Sequence, residues 1–570
     1  MKILGISCFY HDSAAAIIDD GKIIAAAEEE RFSRIKHDSG FPVHAIKFCL
    51  EKADLKESDL NWVVFYEKPF LKFERITLSS LATVPYGREP FVNGYRVWLK
   101  DKLWIKLTIA KKVGIDSKKI LFTQHHMSHA AVAYYTSPFD SAAILTCDGV
   151  GEWTTTSWGR GKGNKVYLEQ EIKFPHSLGL FYSVFTQFLG FQINEGEFKV
   201  MGLAPYGQPR FVDKVKKLIH QSSDGSFKLN MNYFNFHLSD KVSFNQKFID
   251  LFGVLPVDPK DSDRVVPLYA DIAASCQRVL DEVLLTIAKK VREKTGEENL
   301  CYAGGVALNG VTNWKIFKEA GFKNFFVHPA AGDSGGALGA ALYVYYHVLG
   351  KVKRATFISP YLGRENLEEE TRIYLTENNI QAKKYSDKEL INRVAALLLK
   401  KKVVGWVRGR FEWGPRALGA RSILADPRDK KMKDLVNAKI KFREAFRPFA
   451  PVCLYENGDR YFEINKNDLE QQPLQYMIAV VPVRPEWQSK LGAITHVDGT
   501  ARPQFIKRNV NPMYYDVIKA FGEKSGINVL LNTSFNLKGQ PIVNTCEEAY
   551  DTFMKSGIDA LVLGNYLIIK

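Results

Sequence analysis

The sequence lacks closely spaced cysteines and long apolar runs. Its 7 cysteines are scattered and include no CxxC pair, which argues against a zinc ribbon and against a disulfide framework. No apolar run approaches the length of about 18 residues that a membrane helix needs. The N-terminus, MKILGISCFYHDS, has neither a basic segment nor a small-residue cleavage site, so a secretory leader is not expected. These absences predict a cytoplasmic protein with reduced thiols.

Length and composition are those of a multidomain globular protein. A chain of 570 residues exceeds what one hydrophobic core normally organises, which predicts two or three domains. Hydrophobic residues at 46% and charged residues at 25% argue against disorder. The formal net charge of +15 fits either a polyanionic partner or a lysine-rich solvated surface.

The segment from His125 to Asp148 can direct two imidazoles and a carboxylate to one point. If residues 124–135 form a helix, His125 and His129 lie on one face about one turn apart, which is a metal-ligand spacing. The apolar run Ala142–Leu145 predicts a buried strand that leads to Asp148. A helix with two ordinary histidines is the alternative.

Two β-meanders of similar outline indicate a duplicated core. In each of them a polar loop follows the first strand, and helical sequence follows the third strand. The predicted strands are Lys2–Ser7, Ala14–Asp19 and Lys22–Ala27, then Ala142–Thr146, Thr154–Trp158 and Val166–Phe174. A duplicated nucleotide-binding core would have this pattern, and chance similarity between two meanders is the alternative.

Two glycine pairs stand where a strand or loop leads into a predicted helix. Gly304-Gly305 follows a short apolar strand and precedes Asn309 at the start of a helix, so backbone amides could face an anion there. Asp333 precedes a second pair that begins at Gly335, and this carboxylate is a candidate fourth metal ligand. A tight turn explains each glycine pair equally well.

An arginine-rich segment dominates the second half of the chain. It follows two predicted helices that flank a short strand in residues 365–402, and a strand in residues 403–407. Its arginines stand among glycine, proline and apolar residues, which favours forked bonds to phosphate oxygens; nucleic-acid binding is the alternative. The basic residues are Arg408, Arg410, Arg416, Arg421, Arg428, Lys439, Lys441, Arg443 and Arg447.

Five motifs occur in a fixed order along the chain: HHMSHA, CDGVGEW, EFKVMGLAPYG, GGVALN and AAGDSGGALGAAL. In this order they resemble the nodulation-protein and antibiotic-biosynthesis O-carbamoyltransferases. The likeness covers essentially the whole chain. It implies an α/β protein with a duplicated actin/hexokinase-like (ASKHA) domain in residues 1–352, which is similar to the universal tRNA threonylcarbamoyltransferase and has an insertion around 211–263. A smaller YrdC-like α/β domain, similar to enzymes that make threonylcarbamoyl adenylate, would occupy residues 353–570.

The same resemblance implies functional residues by position. A metal, usually Fe²⁺ with Zn²⁺ or Mn²⁺ as alternatives, would be held by His125, His129, Asp148 and Asp333. The residues beside the reacting carbamoyl group would be His11 and Lys36, with His11 the better candidate base. Carbamoyl phosphate would be bound by Arg416, Lys441, Arg447, Arg502 and Asn532. The nucleotide would be contacted by Lys199, Gly202, Gly304, Gly305, Asn309 and Gly335, although an exposed lysine is the alternative for Lys199.

The activity implied is that of an ATP-dependent O-carbamoyltransferase. Carbamoyl phosphate and ATP, with Mg²⁺, would form carbamoyl adenylate, and the carbamoyl group would pass to a hydroxyl of a small molecule or glycan. No covalent enzyme intermediate is required, and neither a membrane nor nucleic acid is an expected partner, whereas a homodimer is compatible with the family. Two alternatives are a tRNA threonylcarbamoyladenosine-type modification enzyme and a nucleotide-binding regulator or kinase of the actin/hexokinase class.

Overall fold

The chain forms two compact units in a computed structural model. The first unit comprises Met1–Glu29 and Ser39–Phe357, and the second comprises Glu30–Asp38 and Ile358–Lys570. The structure describes residues 1–86, 92, 94, 95, 98, 102–239, 241–352, 359–441, 444 and 446–570, with Lys439 and Lys441 described by their backbone alone. Among these residues, none of the helices has the length and apolar character needed to cross a membrane.

The first sheet of the first unit contains the first predicted meander. Its strands are β1 (Lys2–Ser7), β2 (Ala14–Asp19), β3 (Lys22–Glu28), β4 (Trp62–Phe65) and β5 (Ile120–Phe122). They lie in the order β3-β2-β1-β4-β5, with β1 antiparallel to β2 and parallel to β4. The β2–β3 turn is formed by Asp20 and Gly21, which have φ values of 45° and 78°, as a tight two-residue hairpin requires.

The second sheet repeats this topology. The strands that follow in the first unit are β6 (Ser141–Cys147), β7 (Thr154–Lys162), β8 (Lys165–Lys173), β9 (Ile219–Gln221), β10 (Phe227–Leu229), β11 (Asn299–Ala303) and β12 (Asn324–Val327). The sheet order is β12-β11-β6-β7-β8, with β6 antiparallel to β7 and parallel to β11. Because both sheets share strand order and strand directions, the predicted duplication and α/β class are confirmed.

Helices surround the two sheets of the first unit. They are Val43–Lys52, Pro69–Ala82, Ile105–Val113, His125–Thr136, Leu178–Phe188, Glu197–Leu203, Val212–Lys216, Gln246–Phe252, Pro267–Thr295, Gly310–Glu319 and Asp333–Leu342. The helix His125–Thr136 (the His125 helix) packs against the helix Asp333–Leu342 (the Asp333 helix). Glycine permits this approach, since a Cβ at Gly339 would lie 1.9 Å from the Ser128 carbonyl oxygen.

The predicted insertion around residues 211–263 is built on aromatic packing. It contains the β9–β10 hairpin and the helix Gln246–Phe252. Phe248 of this helix contacts Phe185 and Phe188 at ring-centroid distances of 5.3 and 5.2 Å. The insertion is therefore anchored on the helix Leu178–Phe188 by ring contacts.

The second unit is built on an eight-stranded mixed sheet. The strands of the whole unit are β13 (Tyr361–Glu365), β14 (Lys383–Lys384), β15 (Val404–Val407), β16 (Arg410–Glu412), β17 (Arg421–Ala425), β18 (Ala450–Leu454), β19 (Val481–Pro482), β20 (Thr500–Ala501), β21 (Gln504–Ile506), β22 (Val529–Ser534), β23 (Ala560–Leu563) and β24 (Tyr566–Ile569). The large sheet has the order β14-β24-β23-β15-β17-β22-β18-β21. Two-stranded sheets pair β13 with β16 and β19 with β20.

Two helices of the second unit cover the core of its large sheet. Asp387–Leu399 and Pro512–Ser525 pack their apolar residues onto strand residues such as Trp406. The first of these helices begins at a capping box, in which the Ser386 side chain accepts the Glu389 amide and the Glu389 carboxylate accepts the Ser386 amide. The other helices are Glu30–Ser33, Glu368–Glu377, Lys430–Val436, Gly458–Tyr461, Lys466–Leu469, Gln472–Gln475, Pro485–Gln488 and Cys546–Met554.

Candidate functional site

Four buried side chains of the first unit converge on one point. His125 and His129 lie one turn apart at the start of the His125 helix, so both imidazoles share a helix face. Asp148 immediately follows the last residue of β6, and Asp333 is the first residue of the Asp333 helix. The four residues can each offer one ligand atom, and these atoms lie within 4.8 Å of one another.

The separations between these atoms match the spacing of ligands around one metal ion. His125 Nε2 lies 2.9 Å from Asp148 Oδ2, 3.1 Å from His129 Nε2 and 3.6 Å from Asp333 Oδ1. His129 Nε2 lies 3.5 Å from Asp148 Oδ2 and 3.4 Å from Asp333 Oδ1. Ligands placed at typical zinc–nitrogen distances around a tetrahedral ion are about 3.3 Å apart.

The charges of the cluster suit a divalent cation. Burial and the Asp148 charge raise the pKa of Asp333, but nearby imidazoles outweigh them and hold that pKa below its usual value. Neither carboxylate oxygen of Asp333 has a hydrogen-bond partner among the described residues, which is costly for a buried anion that binds nothing. Two imidazole nitrogens and two carboxylate oxygens fit Fe²⁺, Mn²⁺ or Zn²⁺ without selecting among them.

Hydrogen bonds hold the Asp148 carboxylate and the main chain at His125. The Gly305 amide donates to Asp148 Oδ1 at 2.8 Å. The buried Glu152 carboxylate accepts the His125 amide at 3.0 and 3.2 Å and the Lys68 amide at 2.7 Å. The contact to Asp148 is of the kind that fixes ligand orientation in metal sites, whereas Glu152 holds the start of the His125 helix. Sequence reasoning missed Glu152, although it stands inside the CDGVGEW motif.

His11 lies beside the cluster, in the loop after β1. Its Nε2 is 3.8 Å from Asp333 Oδ2, and its Nδ1 is 2.9 Å from Asp12 Oδ2. Burial lowers the pKa of His11, but the charges of Asp333 and Asp12 outweigh it and raise that pKa to about 9. A cation held by Asp333 would weaken this effect and return the imidazole toward the range in which it accepts protons. The role of His11 as a base stays a prediction.

Lys36 belongs to the second unit, within Glu30–Asp38. The predicted first domain, residues 1–352, includes this segment. Lys36 is half-buried, and its position beside a reacting carbamoyl group stays a prediction.

The Gly304-Gly305 pair directs its amides inward. The Gly304 amide donates to the Ala331 carbonyl at 2.9 Å, and the Gly305 amide donates to Asp148. Gly304 has a φ of 96°, and a Cβ there would lie 2.2 Å from the Cys147 carbonyl oxygen. The pair therefore permits close backbone packing next to Asp148, and contact of Gly304 and Gly305 with a nucleotide stays a prediction.

Asn309 is held within a buried polar network. Its side chain caps the helix Gly310–Glu319 by accepting the Thr312 amide at 3.2 Å. Asn309 Nδ2 also donates to Gln277 Oε1 at 3.0 Å, and Gln277 Nε2 donates back to Asn309 Oδ1 at 3.2 Å. Sequence reasoning did not identify Gln277, which lies 32 positions away in the chain.

The remaining predicted nucleotide contacts lie on two helices. Lys199 is half-buried on Glu197–Leu203, where its Nζ lies 5.4 Å from the Phe191 ring centroid, and Gly202 is buried on the same helix. Gly335 is buried on the Asp333 helix, where a Cβ would lie 2.0 Å from the Ala330 carbonyl oxygen. Nucleotide binding by these residues stays a prediction.

Three predicted arginines of the second unit influence one another electrostatically. Burial lowers the pKa of Arg416, and the positive charges of Arg502 and Arg447 lower it further. Burial and the Arg447 charge lower the pKa of Arg502 to about 10. Arg447 lies 3.3 Å from the buried Glu444 carboxylate. A cluster of guanidinium groups that repel one another is a favourable place for an anion.

Asn532 lies on β22 next to the loop that carries Arg416. Its side chain is buried, and its Nδ2 donates to the Ala417 carbonyl at 3.0 Å. The Ala417 carbonyl can only accept, so it is the Nδ2 of Asn532 that faces it. The Oδ1 of Asn532 has no hydrogen-bond partner among the described residues. The side chain of the fifth predicted residue, Lys441, lies outside the described part of the chain.

Comparisons with known proteins cover most of the chain. Residues 2–342 match the family model described as carbamoyltransferase N-terminus, and residues 395–570 match the model described as carbamoyltransferase C-terminus. The uncharacterized protein sll1178 of Synechocystis sp. is 45% identical over an alignment that covers 100% of this chain and 96% of that protein. Nodulation protein NolNO of Sinorhizobium fredii is 36% identical, with 99% and 79% covered.

Similarity to solved structures is low. Component A of the (R)-2-hydroxyglutaryl-CoA dehydratase of Acidaminococcus fermentans is 16% identical, with a TM-score of 0.32 over 60% of this chain and 98% of that one. A score of this size carries no weight for fold or function.

Proposed function

The chain belongs to the carbamoyltransferase family, and from this premise we propose that it couples carbamoyl activation to carbamoyl transfer. Residues 353–570 convert carbamoyl phosphate and ATP to carbamoyl adenylate. Residues 1–352 transfer the carbamoyl group to a hydroxyl of a small molecule or glycan. The observation that carries the proposal is the presence, in one chain, of a buried His-His-Asp-Asp cluster and of Arg416, whose pKa is lowered by burial and by the charges of Arg502 and Arg447.

Activation joins two reactants that both carry negative charge. Water cleaves carbamoyl phosphate and phosphate leaves; a carbamate oxygen then attacks the α-phosphorus of ATP, and pyrophosphate leaves. Arg416, Arg447 and Arg502 support this assignment because their mutual repulsion is relieved when an anion binds. Lys441 and Asn532 complete the proposed carbamoyl phosphate site, and ATP enters with Mg²⁺.

Transfer takes place at the four-residue cluster of the first unit. A divalent metal, with Fe²⁺ the expected ion, would be held there by His125, His129, Asp148 and Asp333 and would polarise the carbamoyl oxygen. The acceptor hydroxyl attacks the carbamoyl carbon, the bond to the AMP oxygen breaks, and a carbamate ester forms.

Further side chains are assigned to the proton, the reacting group and the nucleotide. His11, whose imidazole lies 3.8 Å from the Asp333 carboxylate and so beside the cluster, is assigned to take the proton of the acceptor hydroxyl. Lys36 is the second residue assigned to the reacting group. The residues assigned to the nucleotide are Lys199, Gly202, Gly304, Gly305, Asn309 and Gly335.

Product analysis of paired variants tests the proposal. Purified protein is incubated with carbamoyl phosphate, ATP, Mg²⁺, Fe²⁺ and a mixture of polyhydroxylated acceptors, and products are identified by mass spectrometry. Arg416→Ala should lose pyrophosphate release. Asp333→Asn should retain pyrophosphate release but lose carbamoylated acceptor by about 100-fold or more, as when a transition-state stabiliser is removed.

Arg508→Ala is the matched control, because this arginine is exposed and paired with Asp516 in the same unit. It should behave as the wild type. Formation of ADP in place of AMP and pyrophosphate, or pyrophosphate release that does not need carbamoyl phosphate, would contradict the adenylate route.

A further inference from the structure

The loop that carries Arg416 is held by side chains at several points. This loop, residues 413–420, is called the Arg416 loop. At its base the buried Glu412 accepts backbone amides through a single oxygen, Oε1. The amides are those of Leu418, Ala420 and Arg421, at 2.5, 3.3 and 3.4 Å. Carbonyls of the loop accept from Asn532, Tyr361, Gln504, Trp406 and Asn511.

A further carbonyl contact comes from a distant part of the chain. Arg31 Nη2 donates to the Gly414 carbonyl at 3.1 Å, across 383 positions of sequence. The Arg31 guanidinium is itself constrained, because it lies 4.9 Å from the Phe411 ring centroid and 2.7 Å from the Glu30 carboxylate. Arg31 is only 5% exposed, so this donor reaches Gly414 from a fixed position.

The backbone at Gly414, which Arg31 contacts, has an unusual conformation. Gly414 has a φ of 119°, a backbone conformation open mainly to glycine, and glycine is also the residue with the greatest freedom to leave it. Arg416 follows two residues later, so rotation at Gly414 would move the Arg416 guanidinium. A buried hydrogen bond from a charged donor is among the stronger means of preventing that rotation.

We propose that Arg31 is a positioning residue for the carbamoyl phosphate site. It fixes the Gly414 carbonyl and thereby aims the Arg416 guanidinium at the anion. This inference rests on the proposed role of Arg416 in binding carbamoyl phosphate. It also gives Glu30–Asp38, the segment that carries Lys36, a part in the activation step of the second unit.

Arg34 of the same segment offers a matched comparison. Its guanidinium donates to the Ile542 and Pro541 carbonyls at 2.7 and 2.9 Å and lies 3.1 Å from the Glu548 carboxylate. Arg34 therefore anchors the segment to residues 541–548, whereas Arg31 anchors it to the Arg416 loop. Removing either arginine loosens the segment, but only removal of Arg31 takes a charged donor away from the Gly414 carbonyl.

Steady-state pyrophosphate release separates these effects. Carbamoyl phosphate and ATP are varied in turn with the wild type, Arg31→Ala, Arg31→Lys and Arg34→Ala, and thermal unfolding is recorded for each. Arg31→Ala should raise KM for carbamoyl phosphate about 10-fold, which is the scale of a lost hydrogen bond to a charged group. The KM for ATP should be the same in Arg31→Ala and Arg34→Ala. Arg31→Lys should recover part of the loss, because an ammonium can donate to the same carbonyl.

The inference is overturned if Arg31→Ala and Arg34→Ala change KM for carbamoyl phosphate equally, or if Arg31→Ala leaves it at the wild-type value. Should Arg31→Ala not fold, Arg31→Met decides in its place, since it keeps apolar contact with Phe411 and lacks the donor. Arg416→Ala separates the two claims. Loss of pyrophosphate release in Arg416→Ala together with wild-type KM in the Arg31 variants defeats the inference alone. No pyrophosphate release by the wild type defeats the proposed function and the inference with it.

Discussion

Replacing Asp333 with asparagine should remove metal-induced stabilisation of the protein. The Asp333 side chain is 1% exposed and lies 3.4 Å from His129 and 3.6 Å from His125. Asparagine keeps its shape and removes its charge. Without metal the cost is limited, because the imidazoles that lose a negative neighbour can release their protons at neutral pH.

The magnitude follows from ligand linkage. A metal present at 100 times its dissociation constant stabilises the folded state by about 2.7 kcal/mol. Loss of one of four ligands should cost at least the ~100-fold in affinity at the upper end for a lost outer-shell partner, which leaves about 0.4 kcal/mol or less at the same metal concentration. The melting temperature of a unit of this size should then rise with metal by about 4 °C in the wild type and by less than about 1 °C in the variant. Differential scanning calorimetry with and without Fe²⁺, Mn²⁺ or Zn²⁺ measures this shift.

Asp281→Asn is the matched control for Asp333→Asn. Asp281 is also a buried carboxylate of the first unit, but it is paired with Lys315 at 2.6 Å and accepts from Thr312 at 2.7 Å. Its loss should lower the melting temperature equally with and without metal and leave the metal-induced shift intact. A full metal-induced shift in Asp333→Asn would refute the assignment of the cluster as a metal site.

Other features of the cluster lead to further expectations. Burial lowers the pKa of His129, but Asp148 and Asp333 raise it to about 9 from 6.5. Metal must therefore displace a proton, and titrations should show affinity rising by up to about 10-fold per pH unit between pH 7 and 9. The stability that this proton gives the metal-free protein should be full below pH 6.5 and lost as pH rises through about 9, as urea unfolding can test. Glu152→Gln should weaken metal binding about 10-fold, whereas Glu29→Gln, which alters a buried helix cap at His44 and Ala45, should not. Gly339→Ala places a Cβ 1.9 Å from the Ser128 carbonyl oxygen. It should lower the free energy of unfolding, measured in urea, by about 1–3 kcal/mol and should also weaken metal binding.

The sequence was enough to predict that His125, His129 and Asp148, which lie close together in the chain, could meet. His125 and His129 share a helix face because four residues make about one turn, and Asp148 follows a strand that its apolar composition indicates. The duplicated sheet could also be predicted from the two meanders, because consecutive antiparallel strands are joined by short turns that can be recognised in the sequence. Asp333 joined the set because it stands at a loop-to-helix junction and in a motif of the family.

Contacts between distant parts of the chain could not be predicted in this way. Glu152 accepts the His125 amide across 27 positions, and Arg31 reaches Gly414 across 383. A sequence shows which groups can donate or accept but not which partner each will find once the chain has folded. For the same reason the sequence did not show that the Gly305 amide would donate to the Asp148 carboxylate.

The repeated sheet order gives the two loops after β1 and β6 equivalent places in the two halves of the first unit. One loop supplies His11 and the other supplies Asp148, and both residues adjoin the same cluster. In an assembly of two identical halves, any substitution would appear in both loops at once. A single gene that encodes both halves removes that constraint, so each loop can evolve separately. The loop after β6 can then present a carboxylate to the cluster while the loop after β1 places an imidazole beside it.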